Sequence, residues 1–352
     1  MTRATLPPLD LDRVNEALLR YREPVVAAMR AALDRPGVDH VRLMRYHLGW
    51  EDAAGRAMPP AGGKMLRPAL CLLCCEAAGG DILGAMPAAA ALELVHNFTL
   101  IHDDIEDNSD TRHGRATLWR VEGVPQAINA GDGMFVIARR TLLDMAGAGV
   151  PPERVLEAAR ILDEACVALC EGQFADIGFE TRERVSPQEN EAMITGKTAA
   201  LLGASAAIGA IAAGADAATV AAIGECGRLL GLAFQVQDDV LGIWGEAGVT
   251  GKPVADDIRS RKKSFPVVYA FEHLAPASLE KLRAIYASPP MSEDAVEQML
   301  ALLDEAGARA AATADAERWA CAALDAVAPL RLHPERRRDI EALASFFVHR
   351  RA

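Results

Sequence analysis

The stretch MPAAAALELVHNFTLIHDDIED, residues 86–107, decides the fold class of this chain. Its apolar residues recur every three or four positions, which is the spacing of a helix that buries one face. The same spacing runs through the segments 13–34, 66–78, 126–146, 153–177, 190–213, 217–243 and 294–326. Alternation with a period of two, which is typical of strands, is almost absent. We therefore expect an all-α fold.

No segment divides the chain into separate domains. Turn-forming glycines and prolines interrupt the helical pattern at 59–63, 147–152, 245–253 and 288–290. None of these breaks is a long linker or a low-complexity stretch. We therefore expect residues 1–352 to form a single large helical bundle.

The composition limits the class of protein. The net charge is −12, from 37 basic and 49 acidic residues, which argues against a nucleic-acid-binding protein. No run reaches transmembrane length and the first residues lack a signal-peptide core, so we predict a cytoplasmic protein with no membrane span. The spacing of the seven cysteines fits neither a disulfide framework nor a zinc ribbon, which favours reduced core residues.

A first acidic cluster ends the helix quoted above. Asp103 and Asp107 are four residues apart and share a helix face, with Asp104 beside them. Carboxylates at the C-terminal end of a helix face an unfavourable macrodipole. They also repel each other, by roughly 1 kcal/mol in water and about 4 kcal/mol at the dielectric of a protein surface. A bound divalent cation removes both penalties, so this cluster predicts a metal site.

A second acidic cluster lies on another apolar helix. Asp238, Asp239 and Gln235 fall on one side of a segment that is otherwise apolar. Buried carboxylates are costly without partners, so this pair also needs a cation or basic neighbours. Because both clusters offer oxygen ligands and no cysteine or histidine set, they predict a hard cation such as Mg²⁺.

A few basic residues stand beside glycine or proline against this acidic background. Lys64 and Arg67 open a helix after a Gly-Gly pair, where free backbone N–H groups also favour an anion. Lys197 interrupts an apolar helix. Other candidates follow the acidic clusters: Arg112 and His113 after the first, Lys252 and Lys262 after the second. Asp256 and Asp257 lie in the latter run, part of which is consistent with surface ion pairs of little energetic value.

The order of these motifs resembles the trans-isoprenyl diphosphate synthase family, and most closely its short-chain geranylgeranyl and farnesyl diphosphate synthases. The resemblance covers residues 62–266. Its motifs are Gly-Gly-Lys-x-x-Arg-Pro at 62–68, Asp-Asp-x-x-Asp at 103–107, Arg-x-Gly at 112–114, Gly-Gln at 172–173, Lys-Thr at 197–198, Phe-Gln-x-x-Asp-Asp at 234–239 and Gly-Lys at 251–252.

The resemblance implies an isoprenoid-synthase bundle with a central active-site cavity. It implies three Mg²⁺ ions, with Mn²⁺ as a substitute: two on Asp103, Asp104 and Asp107, and a third on Asp238 with Asp239 beside it. It also implies a homodimer. The substrates would be isopentenyl diphosphate and an allylic diphosphate, joined by ionisation, condensation and elimination.

The resemblance also implies the roles of the polar residues. The catalytic set would be Lys197, Thr198, Gln235, Lys252, Asp103 and Asp238. The allylic diphosphate would contact Arg112, Lys197 and Lys252, and the diphosphate of isopentenyl diphosphate would contact Lys64, Arg67 and His96. Thr198 and Gln235 would line the site near the reacting carbon, and the substrate-binding set would also include His113 and Lys262. His113 stands where a second arginine is common, Met65 where an arginine is frequent, and Gly242 where many relatives have a third aspartate.

The product length is expected to depend on residues about one turn before Asp103. Phe98 and Thr99 lie five and four residues before it. An aromatic residue at the first position resembles synthases that form C20 products, so geranylgeranyl diphosphate is expected, with a C15 product as the alternative.

Two other functions fit parts of the pattern. A class I terpene cyclase also uses Asp-Asp-x-x-Asp, but the segment from Asp238 to Glu246 lacks the middle Ser or Thr of the usual partner motif. A non-catalytic partner subunit would be expected to lose aspartates or lysines, and both acidic clusters and both lysines, Lys197 and Lys252, are present.

Overall fold

A computed structural model describes residues 4–35, 39–58, 63–245, 255–287 and 291–350, and nearly all its elements are helices. The helices are α1 (Leu11–Ala32), α2 (Asp39–His47), α3 (Leu66–Ala77), α4 (Ile82–Glu106), α5 (Leu118–Glu122), α6 (Val124–Leu143), α7 (Pro152–Glu180), α8 (Pro187–Ile194), α9 (Ala200–Ala212), α10 (Ala217–Trp244), α11 (Asp256–Arg259), α12 (Phe265–His273), α13 (Pro276–Ala287), α14 (Glu293–Glu305), α15 (Ala308–Val327) and α16 (Pro334–His349). A short antiparallel hairpin pairs β1 (Thr111–Arg112) with β2 (Arg115–Ala116). The all-α prediction is confirmed.

The main core is built on helices that are rich in small residues. Helix α4 packs against α3 and α6, and α10 packs against α9 and α15. Four consecutive alanines of α4, Ala88–Ala91, are completely buried. At Gly209 a Cβ would lie 2.1 Å from the carbonyl oxygen of Cys71, so α3 and α9 approach too closely for any side chain there. A smaller apolar cluster joins α11–α14. The single-domain organisation stays a prediction.

Two irregular elements place polar side chains at one end of the bundle. His113 and Gly114 have φ of 51° and 73°, and this turn brings Arg112 back beside the end of α4. A π-helical turn, Thr195–Ala199, joins α8 to α9 and carries Lys197. At Gly172 of α7 a Cβ would lie 2.3 Å from the backbone nitrogen of Lys197, so glycine lets α7 approach this turn. Such π-helical turns are frequent at functional sites.

The structure corrects several details of the sequence reading. The segment 190–213 is two helices joined by the π-helical turn, and 294–326 is two helices separated at Gly307, whose φ is 68°. The expectation that no run reaches transmembrane length was wrong. By length and composition alone, Pro187–Ala212 and Ala217–Trp244 are both long and apolar enough to cross a membrane. The structure buries 78% and 50% of their respective apolar windows, as in core helices of a bundle. Five of the seven cysteines are buried, as expected for core residues.

Candidate active site

A cavity of about 1230 Å³ opens where the acidic ends of α4 and α10 face each other. Its wall contains most of the predicted site residues, although they come from distant parts of the chain. Those that line it are Lys64, Arg67, His96, Asp103, Asp104, Arg112, His113, Lys197, Thr198, Gln235, Asp238, Asp239 and Lys262. The sequence motifs therefore converge on one site.

Asp103 is the centre of the first acidic cluster. Gln173 Nε2 donates to Asp103 Oδ1 at 3.0 Å and to Glu106 Oε2 at 2.8 Å. Lys197 Nζ lies 3.8 Å from Asp103 Oδ1, and Arg112 Nη2 lies 3.8 Å from Oδ2. The carboxylate is thus partly exposed to the cavity and has positive charge on both sides.

Asp104 has a different environment from Asp103. It is 1% exposed, and Arg112 holds it with Nε at 2.9 Å and 3.1 Å from the two carboxylate oxygens and Nη2 at 2.8 Å from Oδ1. Burial raises the pKa of Asp104, and Arg112 offsets part of that rise. The pair holds the guanidinium of Arg112 at the cavity wall, and the predicted role of Asp104 as a metal ligand stays a prediction.

Lys197 meets a carboxylate from α7. Its Nζ donates to Asp176 Oδ2 at 2.5 Å. Burial lowers the pKa of Lys197, but Asp176 and Asp103 outweigh this and raise it above its usual value. Lys197 is therefore a positively charged ammonium that is hydrogen-bonded to Asp176 and lies close to Asp103.

Asp107 closes the first cluster at the end of α4. It is the residue after the last helical position, and its backbone N–H donates to the carbonyl of Asp103 at 2.8 Å. Partial desolvation by the surrounding side chains, followed by the charge of Asp103, raises the pKa of Asp107. Asp107 is exposed and lies at the rim of the site, outside the cavity wall described above.

Asp239 is held by the protein on both of its carboxylate oxygens. Gln235 Nε2 donates to Oδ1 at 2.9 Å and the backbone N–H of Phe265 donates to Oδ2 at 2.8 Å. Thr198 Oγ1 extends this chain by donating to Gln235 Oε1 at 2.7 Å. Burial, followed by the charge of Asp257, raises the pKa of Asp239 to about 7. Asp239 therefore joins α10 to α12, and its predicted role as a metal ligand stays a prediction.

Asp238 faces the cavity and pairs with Arg350. Its side chain is 41% exposed, whereas that of Arg350 is 5% exposed. Arg350 Nη2 donates to Asp238 Oδ1 and also to the carbonyl of Phe234 at 3.0 Å. Within the described chain this is the one hydrogen bond to the Asp238 carboxylate, so Asp238 is better placed than Asp239 to take a ligand.

Asp257, from the run that follows the second acidic cluster, lines the active-site cavity. A Cβ on Gly242 would lie 2.3 Å from Asp257 Oδ2, so the carboxylate of Asp257 occupies the space beside α10 that the glycine leaves open. Burial lowers the pKa of nearby Lys262, but Asp257 and other site aspartates outweigh burial and raise it. The carboxylate of Asp257 therefore lies next to residue 242, the position at which many relatives have the third aspartate of the motif.

A second group of basic side chains also lines the cavity. Arg67 and His96 line it, together with His47, which the sequence reading missed. Arg67 Nε is buried and has no hydrogen-bond partner among the described residues, which leaves a donor for an anion. Burial and neighbouring cations lower the pKa of His96, and the pKa of His47 falls to about 3. Lys64 Nζ lies 5.3 Å from the ring of Phe346, at the mouth of this group.

Besides Asp107, the predicted residues Phe98 and Thr99 do not line this cavity wall. The ring of Phe98 packs on Phe135 of α6, with 4.9 Å between centroids, and Thr99 Oγ1 donates to the carbonyl of His96 at 2.7 Å. Their role in product length stays a prediction. Lys252 lies outside the described residues.

Comparison with known proteins identifies the family. The family model described as polyprenyl synthetase matches residues 50–303. The chain belongs to the polyprenyl synthetase family. It is 39% identical over 356 residues to a (2E,6E)-farnesyl diphosphate synthase of Mycobacterium tuberculosis, covering 100% of this chain and 95% of that protein. It is 42% identical over 301 residues to a geranylgeranyl diphosphate synthase of the same species, covering 85% and 84%.

A solved structure from the same family has the same fold. The polyprenyl synthetase of Streptomyces coelicolor A3(2) superposes with a TM-score of 0.89 at 39% identity, covering 95% of this chain and 99% of that one. Membership of the polyprenyl synthetase family therefore rests on both the sequence and the whole architecture.

Asp257, Arg350 and His47 are three polar residues at the site to which the sequence motifs assign no role. Asp257 follows Gly242 by fifteen positions across a break, and Arg350 follows Asp238 by 112 positions. Neither lies in a motif with Asp238. The absence of an aspartate at Gly242 was the one signal that could have prompted a search for a replacement carboxylate.

Proposed function

We propose that this short-chain prenyltransferase condenses isopentenyl diphosphate with allylic diphosphates up to farnesyl diphosphate and releases geranylgeranyl diphosphate. The observation that carries the proposal is the convergence of Asp103, Asp238, Lys197 and Arg112 on one cavity that has a second basic group, at Arg67. One site thus offers two places for a diphosphate, which an elongating enzyme needs and a cyclase does not.

The site fits divalent magnesium. Its acidic donors are all carboxylates, and no three His, Cys, Asp or Glu side chains of the described ranges gather closely enough to hold an ion alone. Magnesium takes few protein carboxylates and completes its coordination with water and phosphate oxygens. We assign Asp103, Asp107 and Asp238 as its ligands, with three ions in the substrate complex and Mn²⁺ as a substitute. When bound, the ions supply charge neutralisation for the departing diphosphate.

The residues around the first acidic cluster bind the allylic diphosphate and promote its departure. Lys197 and Arg112 are held in place by Asp176 and Asp104, so their charges are already oriented when the C–O bond breaks. Such preorganised charge stabilises the transition state without reorganisation. We assign Lys252 and Lys262 to the same diphosphate.

The remaining residues protect and orient the reacting carbons. The pair Thr198–Gln235 places an amide and a hydroxyl beside the cavity. Arg67, Lys64 and His96 hold the diphosphate of isopentenyl diphosphate, with His113 nearby, so that its double bond attacks the allylic carbon. The proton lost from the condensed product passes to the departing diphosphate. The apolar helices behind the site exclude water, which would otherwise capture the cation.

Incubation with defined primers tests the function. Purified protein is mixed with Mg²⁺, radiolabelled isopentenyl diphosphate and a C5, C10 or C15 allylic diphosphate, and the dephosphorylated products are sized. Geranylgeraniol is expected as the main product. Farnesol as the main product would support the C15 alternative, which the 39% identity to a farnesyl diphosphate synthase favours. No elongation with any primer would contradict the proposal.

Phe98 is proposed to limit product length from the α4 wall. Its ring fills the space between α4 and α6 against Phe135. Phe98→Ala should open that space and shift the product distribution beyond C20. Phe135→Ala is the matched control, because it removes a ring of the same size from behind Phe98. Unchanged products from Phe98→Ala would contradict the assignment.

We propose a homodimer formed by the outer faces of α6 and α7. Large apolar side chains lie exposed there: Ile128, Val136, Leu143, Leu156, Val167, Phe174 and Ile177. A patch of this kind marks an interaction surface. Light scattering should give twice the chain mass, and Phe174→Glu should give monomer, because Phe174 is 82% exposed and would sit in the interface. Leu19→Glu, at an exposed position of α1, should leave the dimer intact; a monomeric wild type would contradict the proposal.

We also propose that the protein is cytoplasmic. The net charge of −12 and the burial of both long apolar helices support this location. Cell fractionation should recover the protein in the supernatant; recovery in the membrane pellet would contradict it.

A further inference from the structure

Arg350 is a buried arginine near the C-terminus that pairs with Asp238. It follows the last residue of α16, and its side chain is 5% exposed. Its guanidinium carbon lies 3.9 Å from the centroid of the Phe234 ring, and its Nη2 donates to the carbonyl of Phe234 and to Asp238 Oδ1. A buried guanidinium is thus stacked on the same helix that carries Asp238.

The backbone of Arg350 is also fixed. Its N–H donates to the carbonyl of Phe346 at 2.9 Å, and its carbonyl accepts from Gln237 Nε2 at 3.1 Å. The guanidinium therefore meets Asp238 from a backbone anchored on α10 and α16, not from a loose end.

The charges around Asp238 are mostly positive. Arg350 contacts it. Burial lowers the pKa of both Lys64 and Arg67, and the charge of Asp238 offsets part of that lowering in each, so these two cations lie near it. Three cations around one carboxylate already neutralise it and disfavour a further cation. The exposed part of Asp238 nevertheless faces the cavity.

We propose that Arg350 is the resident counter-ion of Asp238 and competes with the divalent cation for that carboxylate. The inference rests on the proposed function, in which Asp238 is a metal ligand. Arg350 keeps Asp238 neutralised in the substrate-free enzyme and gives up this contact only when a diphosphate adds negative charge to the cavity. Occupation of this metal position is thereby tied to the presence of the diphosphate.

Manganese binding tests the competition. Bound Mn²⁺ is counted by electron paramagnetic resonance on the full chain with inorganic pyrophosphate, in wild type, Arg350→Gln, Asp238→Asn and the double variant. Asp238→Asn should lose one ion, which identifies the Asp238-dependent position. Arg350→Gln should tighten that ion about two- to tenfold, the range for loss of one competing ion pair. In the Asp238→Asn background, Arg350→Gln should change nothing.

Two comparisons separate this result from simpler causes. Arg338→Gln removes an exposed arginine of α16 that pairs with Glu335, and it should leave Mn²⁺ binding unchanged. If Arg338→Gln tightened the ion as much as Arg350→Gln, a general charge effect would overturn the inference. Unchanged or weaker binding in Arg350→Gln, with one ion lost in Asp238→Asn, would also overturn it. If Asp238→Asn lost no ion, the metal assignment itself would fail.

A wild-type measurement covers the case in which Arg350→Gln does not fold. Amide hydrogen exchange of residues 346–350 is followed with and without Mn²⁺ and pyrophosphate. Release of Arg350 from Asp238 should make exchange faster in the complex. Unchanged or slower exchange would show that Arg350 keeps its contact and would overturn the inference.

Discussion

The acidic end of α4 and the acidic stretch of α10 read alike in sequence and differ in structure. On α4, Asp103 is partly exposed between Lys197 and Arg112, while Asp104 is buried against Arg112. On α10, both aspartates line the cavity, but Asp239 is bonded on both oxygens, whereas the side chain of Asp238 is 41% exposed. In each pair one carboxylate is held by protein groups on both oxygens, and the other is more exposed and is the one we propose as a metal ligand. The hydrogen-bond partners of each carboxylate oxygen distinguish the two members of a pair, whereas the sequence motif does not.

The largest expected effect is at Asp103. Asp103→Asn removes the charge that faces Lys197 and the metal position, so kcat should fall roughly 10²- to 10³-fold, as for loss of a group that stabilises transition-state charge. Steady-state elongation assays measure it. Asp110→Asn is the control, because Asp110 lies near the same cluster but is 70% exposed and pairs with Arg120. Comparable losses in both variants would contradict the assignment of Asp103.

Asp238→Asn should lower kcat less, by about ten- to a hundredfold, because Asp238 contributes to one metal position rather than two. Its stability should change little: the amide oxygen can still accept from Arg350 and the amide nitrogen can face the cavity. Thermal unfolding and elongation assays on the same preparation separate the two effects. A variant that is unfolded at room temperature would show that Asp238 is mainly structural.

Asp239→Asn should affect stability more than any ion-dependent property. One amide nitrogen must then face a donor, either Phe265 N–H or Gln235 Nε2, and a buried donor without an acceptor costs about 1–3 kcal/mol. Denaturant unfolding measures the loss. An Asp239→Asn variant that was as stable as wild type and lost a bound Mn²⁺ ion would contradict the structural role of Asp239 and show that it binds metal.

The smallest expected effect is at Gly242. A Cβ there would displace the Asp257 carboxylate, so Gly242→Ala should lower activity by about two- to tenfold, and Asp257→Asn should do the same. Because both changes remove the same carboxylate from the site, the double variant should be no worse than either single one. Fully additive losses would show that the two positions act independently.

The sequence predicts the parts of this site that are local. Asp103 and Asp107 share a face because a helix places residues four apart together, and the apolar spacing identifies that helix. The sequence identifies Lys197 as a charge in an apolar segment, but it does not predict the π-helical turn that carries Lys197, which α7 approaches closely at Gly172.

The non-local parts could not be predicted in the same way. The difference between Asp238 and Asp239 depends on Phe265 and Arg350, which tertiary folding brings to α10. The helices that follow α10 were only partly recognised, because short amphipathic segments such as α11 and α12 carry too little periodicity. The motifs predict the family, but they do not predict that the two aspartates of each pair have different hydrogen-bond partners.

The most direct test is a crystal structure of the full chain with Mn²⁺ and pyrophosphate, recorded at the manganese absorption edge. Anomalous peaks should lie against the carboxylates of Asp103 and Asp238, while Asp239 keeps its bonds to Gln235 and Phe265. A peak on Asp239, or none at Asp238, would contradict the account.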